Sequence, residues 1–273
     1  MYVAFLGTGN ALPSIDRANT ALALVADRDA SVLLVDCGGD PYRELLRVGL
    51  TAARISDIII THAHIDHIGG LPSLIESFRI AGRTAPLRIH AIPHAMGIIH
   101  DLMRVYAFEL TLDQWPFTIE FNTLTLGTTI AAGAFNVKPM PTEHSVPSMG
   151  MRIVAAADAE GPIFAYTCDT VFTTKLHDIA RDATLFIAEA TYLRGHEDAA
   201  RVVYHMTAQQ AAQIATASNA RALALVHLSL SHADEAASRR EARSAFRGNV
   251  IIPHDGVIYA VERRGVRRVR RLP

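Results

Sequence analysis

Ile58-Ile-Ile-Thr-His62-Ala-His64-Ile-Asp66-His67-Ile-Gly-Gly70 is the stretch on which the reading of this chain turns. Three consecutive β-branched residues favour a buried strand. The strand stops at Thr61 and opens into a run of polar side chains. His62 and His64 stand two apart, so both imidazoles can project to one side. A tight loop after them can bring Asp66 and His67 to an adjacent position. Imidazoles joined by a carboxylate suit a borderline cation such as Zn²⁺, whereas Mg²⁺ and Ca²⁺ prefer all-oxygen shells. Gly69 and Gly70 let the following helix begin close to these groups. The segment predicts a metal site at the end of a buried strand.

Working outward, strands are predicted over residues 3–6, 20–26, 32–35 and 58–60, with a helix over 41–48 that starts at Pro41, where proline is tolerated. A helix over 71–80 and a strand over 87–92 follow. The second half repeats the grammar. Strands fall at 135–139, 150–154, 163–167, 185–188, 223–226, 250–252 and 257–261, and helices near 174–180, over 207–218 and over 233–246. Strands interleaved with a few helices predict an α/β fold with two packed sheets and helices outside. With no linker, low-complexity tract or tandem repeat, residues 1–273 read as a single domain.

Composition narrows the function classes. The 273 residues are 50% hydrophobic and 19% charged, too apolar for a disordered chain. A net charge of -1 argues against a surface given over to nucleic acid. No apolar run approaches the roughly 20 residues that span a bilayer, so no membrane partner is expected. The stretch Met1-Tyr-Val-Ala-Phe-Leu6 lacks the basic start of a secretory signal. Two cysteines, Cys37 and Cys168, make no disulfide scaffold, and a reduced, cytoplasmic protein is expected.

The motifs continue beyond the first. Phe5-Leu-Gly-Thr-Gly9, Leu34-Val-Asp36-Cys-Gly38, Glu143-His144-Ser-Val-Pro147, Tyr166-Thr-Cys-Asp169-Thr170, Glu189-Ala-Thr191 and His227-Leu-Ser229 follow in order with the histidine-rich stretch. Together they resemble the ribonuclease Z branch of the metallo-β-lactamase superfamily across essentially the whole chain. The resemblance implies an αββα four-layer sandwich of two mixed sheets with helices outside, carrying two divalent metal ions at the sheet edge. Zinc is the expected metal, with manganese or iron open. By the same pattern His62, His64 and His144 take one metal, Asp66, His67 and His227 the second, and Asp169 bridges them. Asp36 is expected behind the ligands, orienting one of them by a hydrogen bond; a turn-initiating role before Gly38 is the plainer alternative. His254, in Pro253-His-Asp255, competes with His227 as the last ligand, and the pattern favours His227.

Mechanism follows from such a site. Two cations about 3.5–4 Å apart hold a bridging hydroxide as nucleophile and neutralise the charge that grows on an attacked phosphodiester. The leaving oxygen needs a proton. Here the resemblance points to His205, in Tyr204-His-Met-Thr207, paired with Glu189, although Met206 and Ala188 replace a usual Ser and His. Asp66, His205 and Glu189 are therefore the expected catalytic residues. Thr207 reads independently as the N-cap of the helix after it, with His205 just outside.

Three departures bear on the substrate. The tRNA-gripping arm of this family falls between the third and fourth metal motifs, and here residues 145–168 have room for no more than a hairpin. The usual Arg and Tyr after His-x-Ser are absent from His227-Leu-Ser-Leu-Ser-His232, and Cys168 stands at a usual glycine. A small nucleotide or cyclic phosphodiester is the favoured substrate. A tRNA 3′-processing endoribonuclease is the alternative, with a dimer partner or the arginine-rich residues 262–273 replacing the arm. A hydrolase of carboxylic esters, lactones or sulfate esters, and a metal-stabilised binding module, are further alternatives. The arginine-rich end itself reads as a hairpin turning at Gly265 with its arginines in solvent, or as a phosphate contact. Met149 and Met151 read as core. A homodimer is expected from the resemblance alone.

Overall fold

The structure, a computed structural model, describes residues 1–27, 31–108, 111–229, 231 and 234–272. Its first half runs β1 (Tyr2–Gly7), β2 (Ala21–Val25), β3 (Val32–Val35), α1 (Pro41–Arg47), β4 (Ile55–Ile60), α2 (Ile65–Ile68), α3 (Leu71–Ile80), β5 (Leu87–Ala91), α4 (Pro93–Val105) and β6 (Ile119–Thr123). The second runs β7 (Ile130–Ala132), β8 (Phe135–Thr142), β9 (Ser148–Ala155), β10 (Phe164–Tyr166), α5 (Leu176–Ala180), β11 (Leu185–Glu189), α6 (Glu197–Val202), α7 (Ala208–Ala217), β12 (Ala222–Val226), α8 (Glu235–Ala245), β13 (Asn249–Ile251), β14 (Val257–Glu262) and β15 (Gly265–Val269).

The strands form two mixed sheets, ordered β15-β14-β1-β2-β3-β4-β5-β6 and β13-β12-β11-β10-β9-β8-β7. β3 through β6 run parallel, as do β10 through β13. Strand alternation shows why the sheets stack. In β12, Ala222, Ala224 and Val226 enter the core shared by the sheets, whereas Leu223 and Leu225 pack beneath the helices. β11 divides in the same way, Leu185 and Ile187 inward and Phe186 and Ala188 outward. Strands buried on both faces read as unbroken apolar runs, as these do. α7 fits closely because its buried face, Ala208, Ala211, Ala212, Ile214 and Ala215, is alanine at all but one position. Helices lie outside both sheets, the αββα sandwich that the resemblance implies. No helix among the described residues is long and apolar enough to cross a membrane.

Several details differ from expectation. Asp66 and His67 sit on the one-turn helix α2, with His64 at its N-cap position, rather than in a loop. α4 was not expected, since Pro93 and Gly97 interrupt its sequence signal; its stripe of Ala95, Met96, Ile99 and Met103 buries it nonetheless. The short strands β6 and β7 were likewise not expected. Thr207 caps α7 with a reciprocal box to Gln210, as read. The terminal hairpin turns before Gly265 and lays Arg267 and Arg268 in solvent. Of the helix expected over 233–246, Ala233 lies outside the described residues.

Candidate metal centre

The site lies where strand ends of both sheets meet. In the first sheet β3 delivers Asp36, and β4 delivers Thr61 through His64 and then α2. The two loops are laced together: Cys37 N–H donates to the His67 carbonyl at 2.7 Å and Gly70 N–H to the Cys37 carbonyl at 2.8 Å. A Cβ on Gly70 would come within 2.5 Å of the Gly39 carbonyl oxygen, so only glycine permits this approach. In the second sheet the loop after β8 supplies His144, and the ends of β10, β11 and β12 supply Asp169, Glu189 and His227. Parallel strand ends present side chains in this way across α/β folds.

These residues gather into two overlapping groups whose donor atoms lie within 4.8 Å of one another. One holds His62, His64, His144 and Asp169; the other holds Asp66, His67, Asp169 and His227. Asp169 belongs to both. Its Oδ2 is 3.0 Å from His227 Nε2, 3.2 Å from His67 Nε2 and 3.9 Å from His62 Nε2. Asp66 Oδ2 lies 3.3 Å from His227 Nε2, and His144 Nε2 lies 3.0 Å from His64 Nδ1. Buried polar atoms normally find a partner. Here His62 Nε2, His67 Nε2 and Asp169 Oδ1 are buried with no hydrogen bond, and all three belong to the two groups. Five imidazoles and two carboxylates with unpartnered atoms turned to a common centre are the donor set of a borderline divalent cation, and the residues fit such ions.

The second nitrogen of each imidazole is also engaged, which fixes the rings. His62 Nδ1 lies 3.1 Å from Thr61 Oγ1 and 3.2 Å from Cys168 Sγ. His64 Nε2 meets Ser145 Oγ at 3.2 Å, and His144 Nδ1–H donates to the Tyr204 carbonyl at 3.0 Å. His67 Nδ1 reaches Asp36 Oδ2 at 2.8 Å, and His227 Nδ1 reaches Thr191 Oγ1 at 2.9 Å. Asp36, wholly buried, therefore stands behind a histidine of the cluster.

Electrostatics separates the two groups. Burial pushes His62, His64 and His144 below the ordinary imidazole range and keeps them neutral, the form that binds metals. Burial opposes charge on His67 and His227 too, but there Asp169 outweighs it, aided by Asp36 at His67. His67 rises well above its usual value and His227 to about 10. The carboxylates of the second group thus demand positive charge at the centre, from protons when no cation is there.

Beside this cluster, Glu189 is fully buried and accepts four hydrogen bonds. Oε1 takes Thr170 N–H at 2.7 Å and His205 Nδ1–H at 2.9 Å; Oε2 takes Thr191 Oγ1–H at 2.8 Å and Met206 N–H at 3.3 Å. The His205 ring lies 5.1 Å from that of His227 and 5.3 Å from that of His144. Burial lowers the His205 pKa, but Glu189 more than reverses this and leaves it raised.

A family model described as "Anti-Pycsar protein Apyc1" matches residues 1–229. Ribonuclease Z of Halorubrum lacusprofundi is 30% identical over an alignment covering 95% of this chain and 96% of the relative. The chain belongs to the Apyc1 family, among the ribonuclease Z-like metallo-hydrolases. The alignment with that relative runs over 307 residues, longer than the 273 of this chain, so the relative carries segments absent here. Human tRNase Z, short form, superimposes with a TM-score of 0.76 at 26% identity, covering 96% of this chain and 99% of that one. The metallo-β-lactamase fold protein YhfI of Bacillus subtilis gives 0.79 at 22% identity, over 94% and 97% of the two chains.

Against the ribonuclease Z-like pattern, all seven residues named as ligands come together, with Asp36, Glu189 and His205 around them. His254 does not join them; it is 53% exposed and pairs with Glu235 at 3.0 Å. Met149 and Met151 are buried in the core. Sequence reasoning gave no separate role to Thr61, Thr191, Ser145 or Tyr204, which hold the rings of the ribonuclease Z-like cluster from behind. The only signal for the threonines is their adjacency to motif residues. Backbone geometry adds another sign: Asp36, Cys168, Tyr204 and His227 have φ of 61°, 57°, 62° and 57°. Non-glycine residues in this region are strained and gather at functional sites.

Proposed function

We propose that the protein is a dinuclear metallo-hydrolase that cleaves a phosphodiester bond in a small nucleotide or cyclic phosphodiester. The observation that carries this reading is the convergence of buried, unpartnered His62 Nε2, His67 Nε2 and Asp169 Oδ1 beside the His205–Glu189 pair. His62, His64 and His144 would hold one ion, Asp66, His67 and His227 the other, and Asp169 would bridge. Zinc is the metal that the histidine-rich set favours, with manganese and iron as the other candidates. Two such ions supply Lewis acidity and a water-derived nucleophile at neutral pH. The residues do the rest. Asp36, Thr61, Thr191, Ser145 and the Tyr204 carbonyl hold the rings in place. Glu189 takes the His205 Nδ1 proton in a hydrogen bond, which leaves His205 Nε2–H to protonate the leaving oxygen.

Support for a small substrate comes from the second sheet. Residues 156–163, between β9 and β10, form a short turn where ribonuclease Z proteins that process tRNA carry their arm. The second reading, a tRNA 3′-processing endoribonuclease, draws on the names of the curated relatives and on the exposed arginines of β15. In either reading residues 1–273 act as one cytoplasmic domain that pairs as a homodimer.

Turnover of a chromogenic aryl phosphodiester by protein reloaded with Zn²⁺ or Mn²⁺, against a chelated control, tests the reading. Metal-dependent release of the chromophore is the expected result, and parallel assays on pre-tRNA separate the two substrates. No turnover by protein that demonstrably holds two ions would refute phosphodiester cleavage and transfer the site to carboxylic or sulfate esters.

A further inference from the structure

We infer that Thr61 and Thr191 are a matched pair of positioning residues: each fixes the Nδ1–H tautomer of one ligand histidine and relays that hydrogen bond to a buried carboxylate gripping a second imidazole. This inference rests on the ligand assignments proposed above.

The two arrangements repeat across the sheets. After β4, Thr61 Oγ1 lies 3.0 Å and 2.9 Å from the two Asp36 oxygens and 3.1 Å from His62 Nδ1, while Asp36 Oδ2 also receives His67 Nδ1 at 2.8 Å. After β11, Thr191 Oγ1 lies 2.8 Å from Glu189 Oε2, 3.1 Å from the His227 carbonyl oxygen and 2.9 Å from His227 Nδ1, while Glu189 Oε1 receives His205 Nδ1 at 2.9 Å. Both hydroxyls are buried.

Proton counting decides the tautomer. Carboxylate and carbonyl oxygens only accept, so each threonine spends its single proton on them, on Asp36 at Thr61 and on the nearer Glu189 or the His227 carbonyl at Thr191, and offers the imidazole a lone pair. His62 and His227 must then carry hydrogen on Nδ1. Their Nε2 lone pairs are left for the centre, where His62 Nε2 indeed has no other partner. A hydroxyl replaced by a methyl group would let either ring turn or change tautomer.

The halves differ in what else the carboxylate holds. Asp36 ties a histidine of the first ion's set to one of the second, whereas Glu189 ties a ligand histidine to the proposed acid. At His62, Cys168 Sγ stands 3.2 Å from Nδ1 as a weaker second acceptor, while its own S–H donates to Thr61 Oγ1 at 3.0 Å. Loss of the Thr61 hydroxyl is therefore cushioned in a way that loss of the Thr191 hydroxyl is not.

The test is zinc binding to chelator-stripped protein, read by competition with a chromophoric chelator. Wild type should take two equivalents. Thr191→Val should weaken one equivalent on the order of 10–100-fold, the usual effect of removing a group that orients a ligand. Thr61→Val should weaken the other by a smaller factor, and Thr61→Val with Cys168→Gly by more. Thr61→Ser and Thr191→Ser should bind as wild type. Valine variants that bind two equivalents with unchanged affinity, while wild type binds two, would overturn the inference alone. A wild type that binds none would overturn the ligand assignment with it. Should a valine variant fail to fold, the long-range ¹H–¹⁵N spectrum of zinc-loaded wild type decides: hydrogen on Nδ1 of His62 and His227 supports the relay, and hydrogen on Nε2 of either refutes it.

Discussion

Replacing His205 with alanine separates proton donation from every other job in the site. A positioned general acid contributes about 10²–10⁴-fold, or about 3–5 kcal/mol at 1.36 kcal/mol per tenfold. The hydrogen bond to a fully buried carboxylate, with the His205 side chain itself 16% exposed, places the effect near the middle of that range, about 10³-fold. His205 also packs against His227 and His144, so its loss should loosen ligands and cost about tenfold on any substrate. The leaving group tells these contributions apart. A nitrophenolate departs without a proton, whereas a nucleoside alkoxide requires one. His205→Ala, with two ions verified by metal analysis, should lose about tenfold in kcat/KM on a nitrophenyl phosphodiester and about 10⁴-fold, the product of the two effects, on a dinucleoside monophosphate. Equal losses on both would refute the assignment and leave His205 as packing around the ligands.

Further outcomes follow from the same geometry. Activity that needs protonated His205 should fall as pH rises through its raised pKa; Glu189→Gln removes the charge that raises it, so the alkaline limb of the pH–rate profile should move to lower pH. An unmoved limb would assign it to another group. Asp169→Asn touches both ligand groups and should deplete both ions, which metal analysis after gel filtration would show; retention of two would rule out bridging. If the ions are present at about 1,000 times their Kd, each adds about 4 kcal/mol, so chelation of both should lower Tm by about 16–32 °C at roughly 2–4 °C per kcal/mol. Away from the site, burial pushes the Asp57 carboxyl up but hydrogen bonds from His90 and Arg88 hold it at about 2. That stabilisation is present above pH 4 and fades as pH falls toward 2. Allowing for an Arg88 side chain 37% exposed, it amounts to about 1–2 kcal/mol. Asp57→Asn should lose it at pH 7 and flatten the acid limb of urea stability.

Much of this was legible in the sequence because the information is local. Ile58–Ile60 announces a buried strand and the residues after it announce donors, whatever the rest of the chain does. The ordered motifs then placed His144, Asp169 and His227. What escaped depends on approach across the fold. Thr191 gains its role from His227, which arrives on another strand. His144 is held by a Tyr204 carbonyl, and no side-chain pattern advertises a carbonyl. α4 escaped because a proline and a glycine hide a helix whose stability comes from packing rather than propensity. His254 shows the limit of local signals: a histidine after a strand competes as a ligand until Glu235, on a separate helix, takes it, and only the ordered motifs favoured His227 beforehand.

The donors are divided between the two sheets, and that division orders events in time. His62 through His67 emerge early in synthesis, but Asp66 meets His227 only across 161 residues of chain. A growing chain that ends before β12 lacks His227, and one that ends before β10 also lacks Asp169, the residue common to both groups. Neither can assemble the full set, so the cluster is complete only once both halves have been made and docked.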